Sequence, residues 1–302
     1  MKPRNLRTAL KHWARQTLLG YAPPEMRLAL RQLRHRTRHR LGRPETSPFP
    51  PRNFTVARGV EPARVLVLAP HPDDEIIGPG GALAMHLAAG SEVTVLYLTD
   101  GRGPNVHNTD LVAVRRREAE SIGQEYGFEQ VFWDVPDNHL AADEAAVARL
   151  AAILARLQPG FVFVPSFFDH QYDHFAANQV LAGALRQISG TEAIILGYEV
   201  WDNMPFPNFI VDISSHFQTK ADMLAQYAVP NEFTDFIQLC RHRNGLHYLL
   251  YVDSLRRQPE GYAEAFYRLD ASSYPAALDE YQALLAENKS PLMRAGQPAP
   301  KL

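Results

Sequence analysis

Cysteine is almost missing from this chain: Cys240 is the single one among 302 residues. An internal disulfide is excluded, and so is a zinc site built from thiolates. Any metal must therefore be held by His and Asp/Glu. Long apolar runs are missing too, and nothing approaches the roughly 20 residues that span a bilayer. Trp13 to Tyr21 is broken by Arg15, Gln16 and Gly20, unlike the unbroken core of a secretory signal, so the expected location is cytoplasmic. A dinucleotide fingerprint is also absent. Gly78-Pro79-Gly80-Gly81 lacks the G-x-G-x-x-G spacing, and Asp73 and Asp74 just before it would repel a pyrophosphate.

What is present is uneven in charge. The net charge of −2 conceals a basic arm at residues 1–45, with twelve Lys/Arg against two Asp/Glu, while the remainder holds nineteen against thirty-one. Within the arm, Leu6, Leu10, Trp13 and Thr17 share one helical face and Arg4, Arg7, Lys11 and Arg15 another. Such a helix either lies in an anionic membrane surface or packs on the domain with its arginines solvated. Nucleic acid is not expected as a partner, because no groove-reading motif accompanies the charge. Residues 46–60, with Pro48, Pro50 and Pro51, read as a linker.

From residue 61 the pattern alternates between short apolar runs and helical stretches. Strands are expected at 64–70, 92–99, 130–134, 161–165, 193–200 and 209–213, and helices at 80–89, 110–126, 142–157, 174–188 and 217–227. This rhythm predicts a Rossmann-like α/β fold, a mostly parallel sheet flanked by helices, over residues 61–230. A helical extension is expected over 231–288, including helices at 233–240, 245–255, 262–266 and 276–287. A disordered tail is expected at 289–302.

The most informative segment is His71-Pro72-Asp73-Asp74-Glu75, directly after the strand-like run Arg64 to Pro70. It places an imidazole and carboxylates at the carboxyl end of the first strand of the alternating pattern, where open α/β sheets bind ligands. In a doubly wound sheet the fourth strand of that pattern pairs on the other side of the first. The loop after that fourth strand reads Ser166-Phe167-Phe168-Asp169-His170-Gln171-Tyr172-Asp173-His174 and carries the same residue types. Catalytic zinc takes three protein ligands and leaves a position for water; His71, Asp74 and His174 meet that need. Asp73, diverging from its neighbour, is placed to act as general base. The metal is expected to be Zn2+, although His/Asp sites also take iron, cobalt or nickel.

These segments resemble the PIG-L/LmbE-like N-acetylglucosaminyl deacetylases. The likeness spans about residues 62–230 and includes Thr99-Asp100-Gly101, Arg115 with Glu118, Val135-Pro136-Asp137, Glu199-Val200-Trp201 and Val211-Asp212-Ile213. It implies a metal-dependent hydrolase that removes acetyl from an N-acetylated sugar in a glycan, lipid-linked or nucleotide-linked precursor. It also implies His71, Asp74 and His174 as ligands, Asp73 as base, and Arg115 and Asp137 at the substrate or in support of the site. One departure matters. Many members carry a histidine three positions before the last metal histidine; here that position is Gln171, with His170 the nearest imidazole.

Gln171 can donate to an oxyanion but cannot act as an acid, so the expected catalytic set is Asp73, His170 and Gln171. His107, in the polar stretch 103–108, is a further expected substrate contact. From the residues alone some alternatives stay open. His174 can cap a helix, Arg115 can belong to a solvated Arg115-Arg116-Arg117 run, and Asp137 can be a turn residue. At the level of function the alternatives are an amidase acting on a small thiol-sugar or antibiotic-like conjugate, and a catalytically weakened sugar-binding domain.

Overall fold

A computed structural model of the chain describes residues 54–103, 109–188, 190–204, 206–253 and 260–287. The basic arm, His107 and the tail from Lys289 lie outside the described residues. The chain divides into two units, 52–278 and 1–51 with 279–302. The first holds the sheet and the site; of the second, only Asp279 to Glu287 are described.

The strands are β1 Thr55–Ala57, β2 Arg64–Ala69, β3 Glu92–Thr99, β4 Glu129–Val135, β5 Phe161–Pro165, β6 Ile194–Tyr198, β7 Phe209–Asp212 and β8 Ala263–Asp270. The helices are α1 Asp74–Ile77, α2 Gly80–Ala88, α3 Thr109–Tyr126, α4 Glu144–Leu157, α5 Tyr172–Gln187, α6 Phe217–Ala225, α7 Ala228–Phe233, α8 Phe236–His247 and α9 Tyr274–Glu287. Sheet order is β1-β7-β8-β6-β5-β2-β3-β4, and every neighbouring pair is parallel except the two made by β8.

Why β2 is central follows from its residues. Val65 to Ala69 are all buried, because helices cover both faces of a parallel sheet and leave no polar side. It pairs with β3 on one edge and β5 on the other, as the alternation predicts. Truncating Leu68, fully buried, to Ala should cost about 2–5 kcal/mol. The helices follow their own period: α4 buries Val147, Leu150, Ala151 and Leu154, and Asp143 caps it by accepting from Ala146 N at 2.8 Å.

Two stretches differ from expectation. Residues 55–57, read as linker, form β1 and pair with β7. Residues 262–266, read as a helix, enter strand β8 between β6 and β7. Ala263-Glu264-Ala265 favours helix locally, but tertiary context overrides so weak a preference. Two free strand edges accept β8, the small alanines fit the tight interior, and Glu264 finds a buried cation. The alternating exposure of Tyr267, Arg268, Leu269 and Asp270 is the period-2 signal of a strand.

Candidate metal centre

The ends of β2 and β5 bring the expected ligands together. Asp74 opens α1, and its Oδ2 accepts from His71 N at 2.8 Å. The same oxygen lies 3.0 Å from His71 Nδ1 and 3.2 Å from His174 Nε2. His174 sits in the first turn of α5, fully buried. One ligand atom from each of the three falls within 4.8 Å of the others.

His71, Asp137 and Asp173 also converge, but those carboxylates are already occupied. Asp173 accepts from Asn138 N at 2.6 Å and Leu140 N at 3.1 Å. Asp137 accepts from Gly103 N at 2.7 Å and Asn138 Nδ2 at 2.8 Å. Both ring nitrogens of His174, in contrast, are buried without a hydrogen-bond partner. Unpaired buried polar atoms are rare in folded proteins, and an imidazole nitrogen 3.2 Å from a carboxylate oxygen, with no hydrogen bond between them, suits a shared cation. The residues therefore fit a divalent metal held by His71, Asp74 and His174.

Two further carboxylates orient the imidazoles. Asp173 Oδ2 lies 3.2 Å from His71 Nε2, and Asp169 Oδ1 lies 3.3 Å from His174 Nδ1. Partners of this kind fix tautomer and ring direction in metal sites. Burial alone would lower both histidine pKa values. Asp74 and the orienting carboxylates outweigh it, raising His174 to about 9 and His71 well above its usual value. Burial would likewise raise Asp74, yet His174 and His71 hold it far below the carboxylate range. The field that keeps protons on these rings also favours a metal cation in their place.

Asp73 carries the local strain. Its φ of 131° is unusual for a residue with a side chain, and such geometry costs about 1–3 kcal/mol. Glu75 Oε2 holds it in place by accepting from Asp73 N at 3.0 Å. Arg115 Nη2 donates to Asp73 Oδ2 at 2.8 Å and to Pro72 O at 2.5 Å. Burial pushes the Asp73 carboxyl up to about 7, and Arg115 only partly opposes it. Arg115 thus stands apart from its run, since Arg116 pairs with Glu120 and Asp134 at the exposed surface.

The remaining expected residues divide. His71, Asp73, Asp74, Arg115, Asp137, His170 and Gln171 line one cavity of about 480 Å3. Gln171 caps α5, its Oε1 accepting from His174 N at 2.9 Å, while its Nε2 lies 3.4 Å from His71 Nε2. His170 is mostly exposed at the cavity rim, with Nδ1 2.6 Å from Asp202 Oδ2. That bond raises its pKa. The amino end of α2 is closed to a ligand: Glu264 accepts from Gly81 N at 2.7 Å and Ala82 N at 2.8 Å. Glycine is needed at this turn, because a Cβ on Gly78 would lie 2.2 Å from the Tyr198 ring and one on Gly81 2.5 Å from Ile213.

Sequence reasoning gave no role to Glu75, Asp169 or Asp173. Glu75 is fully buried, accepts from Tyr97 OH at 3.1 Å and from Tyr227 OH, and is pushed by burial to about 8. Their adjacency to the ligands was a signal, but residue type alone does not separate a ligand from the group that orients it.

Fold and site together define an α/β protein in which His71, Asp74 and His174 converge at the point where its strand order reverses. Comparison gives the likeness its bounds: residues 66–185 match the PIG-L model, described as GlcNAc-PI de-N-acetylase, so the resemblance read from the motifs holds over that stretch. The chain is 31% identical over 119 residues to a 4-oxalmesaconate hydratase of Pseudomonas putida, covering 36% of this chain and 46% of the relative. It is 26% identical over 179 residues to a diacetylchitobiose deacetylase of Thermococcus kodakarensis, covering 52% and 66%. It therefore spans under two thirds of the length of these curated relatives. The fold is shared with N,N'-diacetylchitobiose deacetylase from Pyrococcus horikoshii at a TM-score of 0.57 and 23% identity, covering 70% of this chain and 86% of that one.

Proposed function

We propose that the protein is a zinc-dependent N-deacetylase that hydrolyses the acetamide of a GlcNAc-type sugar. One observation carries this reading. Two imidazoles and a carboxylate converge beside a strained, buried Asp73, in a stretch that matches a GlcNAc-PI de-N-acetylase model. Held by His71, Asp74 and His174, the metal supplies Lewis acidity and lowers the pKa of water to about 7.

The rest belongs to the chain. Asp73 accepts the proton of the attacking water, and its raised pKa suits that task near neutrality. Arg115 fixes the direction of the Asp73 carboxylate through their 2.8 Å pair. His170, with Nδ1 on Asp202, has Nε2 free to protonate the departing amine. Gln171 presents its amide beside His71 as an oxyanion donor, and Asp137 and His107 are assigned to the substrate. The basic arm supports a membrane-proximal substrate at the inner face. No helix among the described residues is long and apolar enough to cross a membrane.

The hydratase likeness supports a second reading, addition of water to an unsaturated acid. The cavity disfavours it: Arg115 is the one arginine or lysine among its lining residues, and it is already committed to Asp73, so the carboxylates of an unsaturated acid find no cationic side chain to hold them. The zinc-loaded protein should release acetate from UDP-linked or lipid-linked N-acetylhexosamines. Absence of acetate alongside hydration of an unsaturated acid would transfer the assignment. Deleting residues 1–45 should abolish salt-sensitive binding to anionic vesicles and spare hydrolysis of a small soluble substrate.

A further inference from the structure

The cavity has a second wall that the chemistry above does not use. Besides the charged residues it is lined by Ile77, Tyr172, Trp201 and Phe236. Tyr172 is 56% and Trp201 47% exposed, far more open than most aromatic side chains in this fold. Openness here does not mean looseness. Trp201 N donates to Asp169 Oδ2 at 2.9 Å, the same carboxylate that faces His174. The Trp201 ring packs edge-on against Phe236, with centroids 5.7 Å apart at 64°. Trp201 and Phe236 both lie beyond residue 185, outside the stretch that matches the family model.

A rigid, half-open indole beside a hydrolytic centre suits a ligand with one apolar face. The neighbouring groups narrow the class. Asp202 follows Trp201 directly and is paired with His170 at the same rim. A pyranose ring offers C–H groups to an aromatic face and hydroxyls to such a pair. An alkyl chain would cover the pair with hydrocarbon and leave its polar atoms desolvated. Resting on the deacetylase reading, we infer that Trp201, backed by Phe236 and bordered by Tyr172 and the His170–Asp202 pair, is a subsite for a second sugar ring joined to the N-acetylated one. The substrate is then a glycoside of at least two rings.

The test uses the full-length zinc-loaded protein and three probes: N-acetylglucosamine, N,N'-diacetylchitobiose and an octyl N-acetylglucosaminide. Wild type should prefer the disaccharide in kcat/KM. Trp201→Ala should reduce that preference about tenfold, mainly through KM, and Trp201→Phe should restore most of it. In the Asp73→Asn background, calorimetry with diacetylchitobiose should show binding about tenfold weaker when Trp201 is also Ala. Equal losses on all three probes, or a preference for the octyl glycoside, would overturn the subsite while the deacetylase reading stands. If wild type releases acetate from none of the probes and binds none, both fall together.

Discussion

Two of the buried charged clusters among the described residues are built on opposite principles. Lys220 Nζ, fully buried, donates to Glu264 Oε1 at 2.7 Å and to the carbonyls of Ile77 and Gly78 at 3.0 Å each. Glu264 in turn takes two backbone amides of α2. The donors of one and the acceptors of the other are thus matched. At the His71–Asp74–His174 cluster, a few residues away in sequence from Gly78, both nitrogens of His174 are left without a hydrogen bond. Burial is the same; satisfaction is not. A buried ion pair whose atoms are all matched fixes a backbone, whereas a buried cluster with a deficit is a place for something else to bind.

That contrast can be broken by experiment, starting where the effect is greatest. His174→Ala should reduce bound zinc from about one ion per chain to almost none and abolish hydrolysis, with a modest loss of stability in the metal-free protein. Metal analysis and melting curves check this, and a variant that retains its zinc would remove His174 from the ligand set. Asp73→Asn should keep the metal yet slow turnover by about 10²–10⁴-fold; an unchanged rate would show that the water needs no base there.

Lys220→Met should act on folding rather than chemistry. Removing one partner of a buried pair costs about 3–5 kcal/mol, readable in urea denaturation. If His174→Ala lowers metal-free stability more than Lys220→Met does, the distinction between the two clusters fails. The smallest effect sharpens the rule with a third buried group. His86 packs against Phe161 and has its Nδ1 3.0 Å from Ser91 Oγ, and burial lowers its pKa to about 4. The unfolded chain takes up this proton near pH 6.5 and the folded one only near 4. Stability therefore falls as pH drops between those values, by up to about 3 kcal/mol. In His86→Gln that component should vanish, and a stability difference between the two proteins that is constant from pH 7 to 4 would contradict it.

The parallel half of the sheet was legible because buried strands such as Val65 to Ala69 are uniformly apolar and bounded by turn residues. The convergence of His71, Asp74 and His174 was legible because strand order places two particular loops together, so His71 and His174 could be joined without knowing the path between them. Strand β8 was not, since Ala-Glu-Ala favours helix and only the pairing partners at β6 and β7 decide otherwise. Nor were Asp169 and Asp173. Their chemistry equals that of Asp74, and only direction in space makes them supports. For Arg115 the sequence left two readings open, a place at the site or a solvated run, and packing separates it from Arg116.

The insertion of β8 bears on how the protein is made in the cell. A ribosome synthesises the His71 loop well before the strand that caps its adjoining helix, which comes from residues 263–270. Until that strand emerges, Lys220 has no carboxylate, the amides of Gly81 and Ala82 are uncapped, and β6 and β7 each present an open edge. Such a nascent chain is exposed to mispairing, the hazard of long-range strand closure. Chains stalled before residue 260 should therefore be protease-sensitive around Gly78 and bind zinc poorly, and those released after residue 278 should do neither.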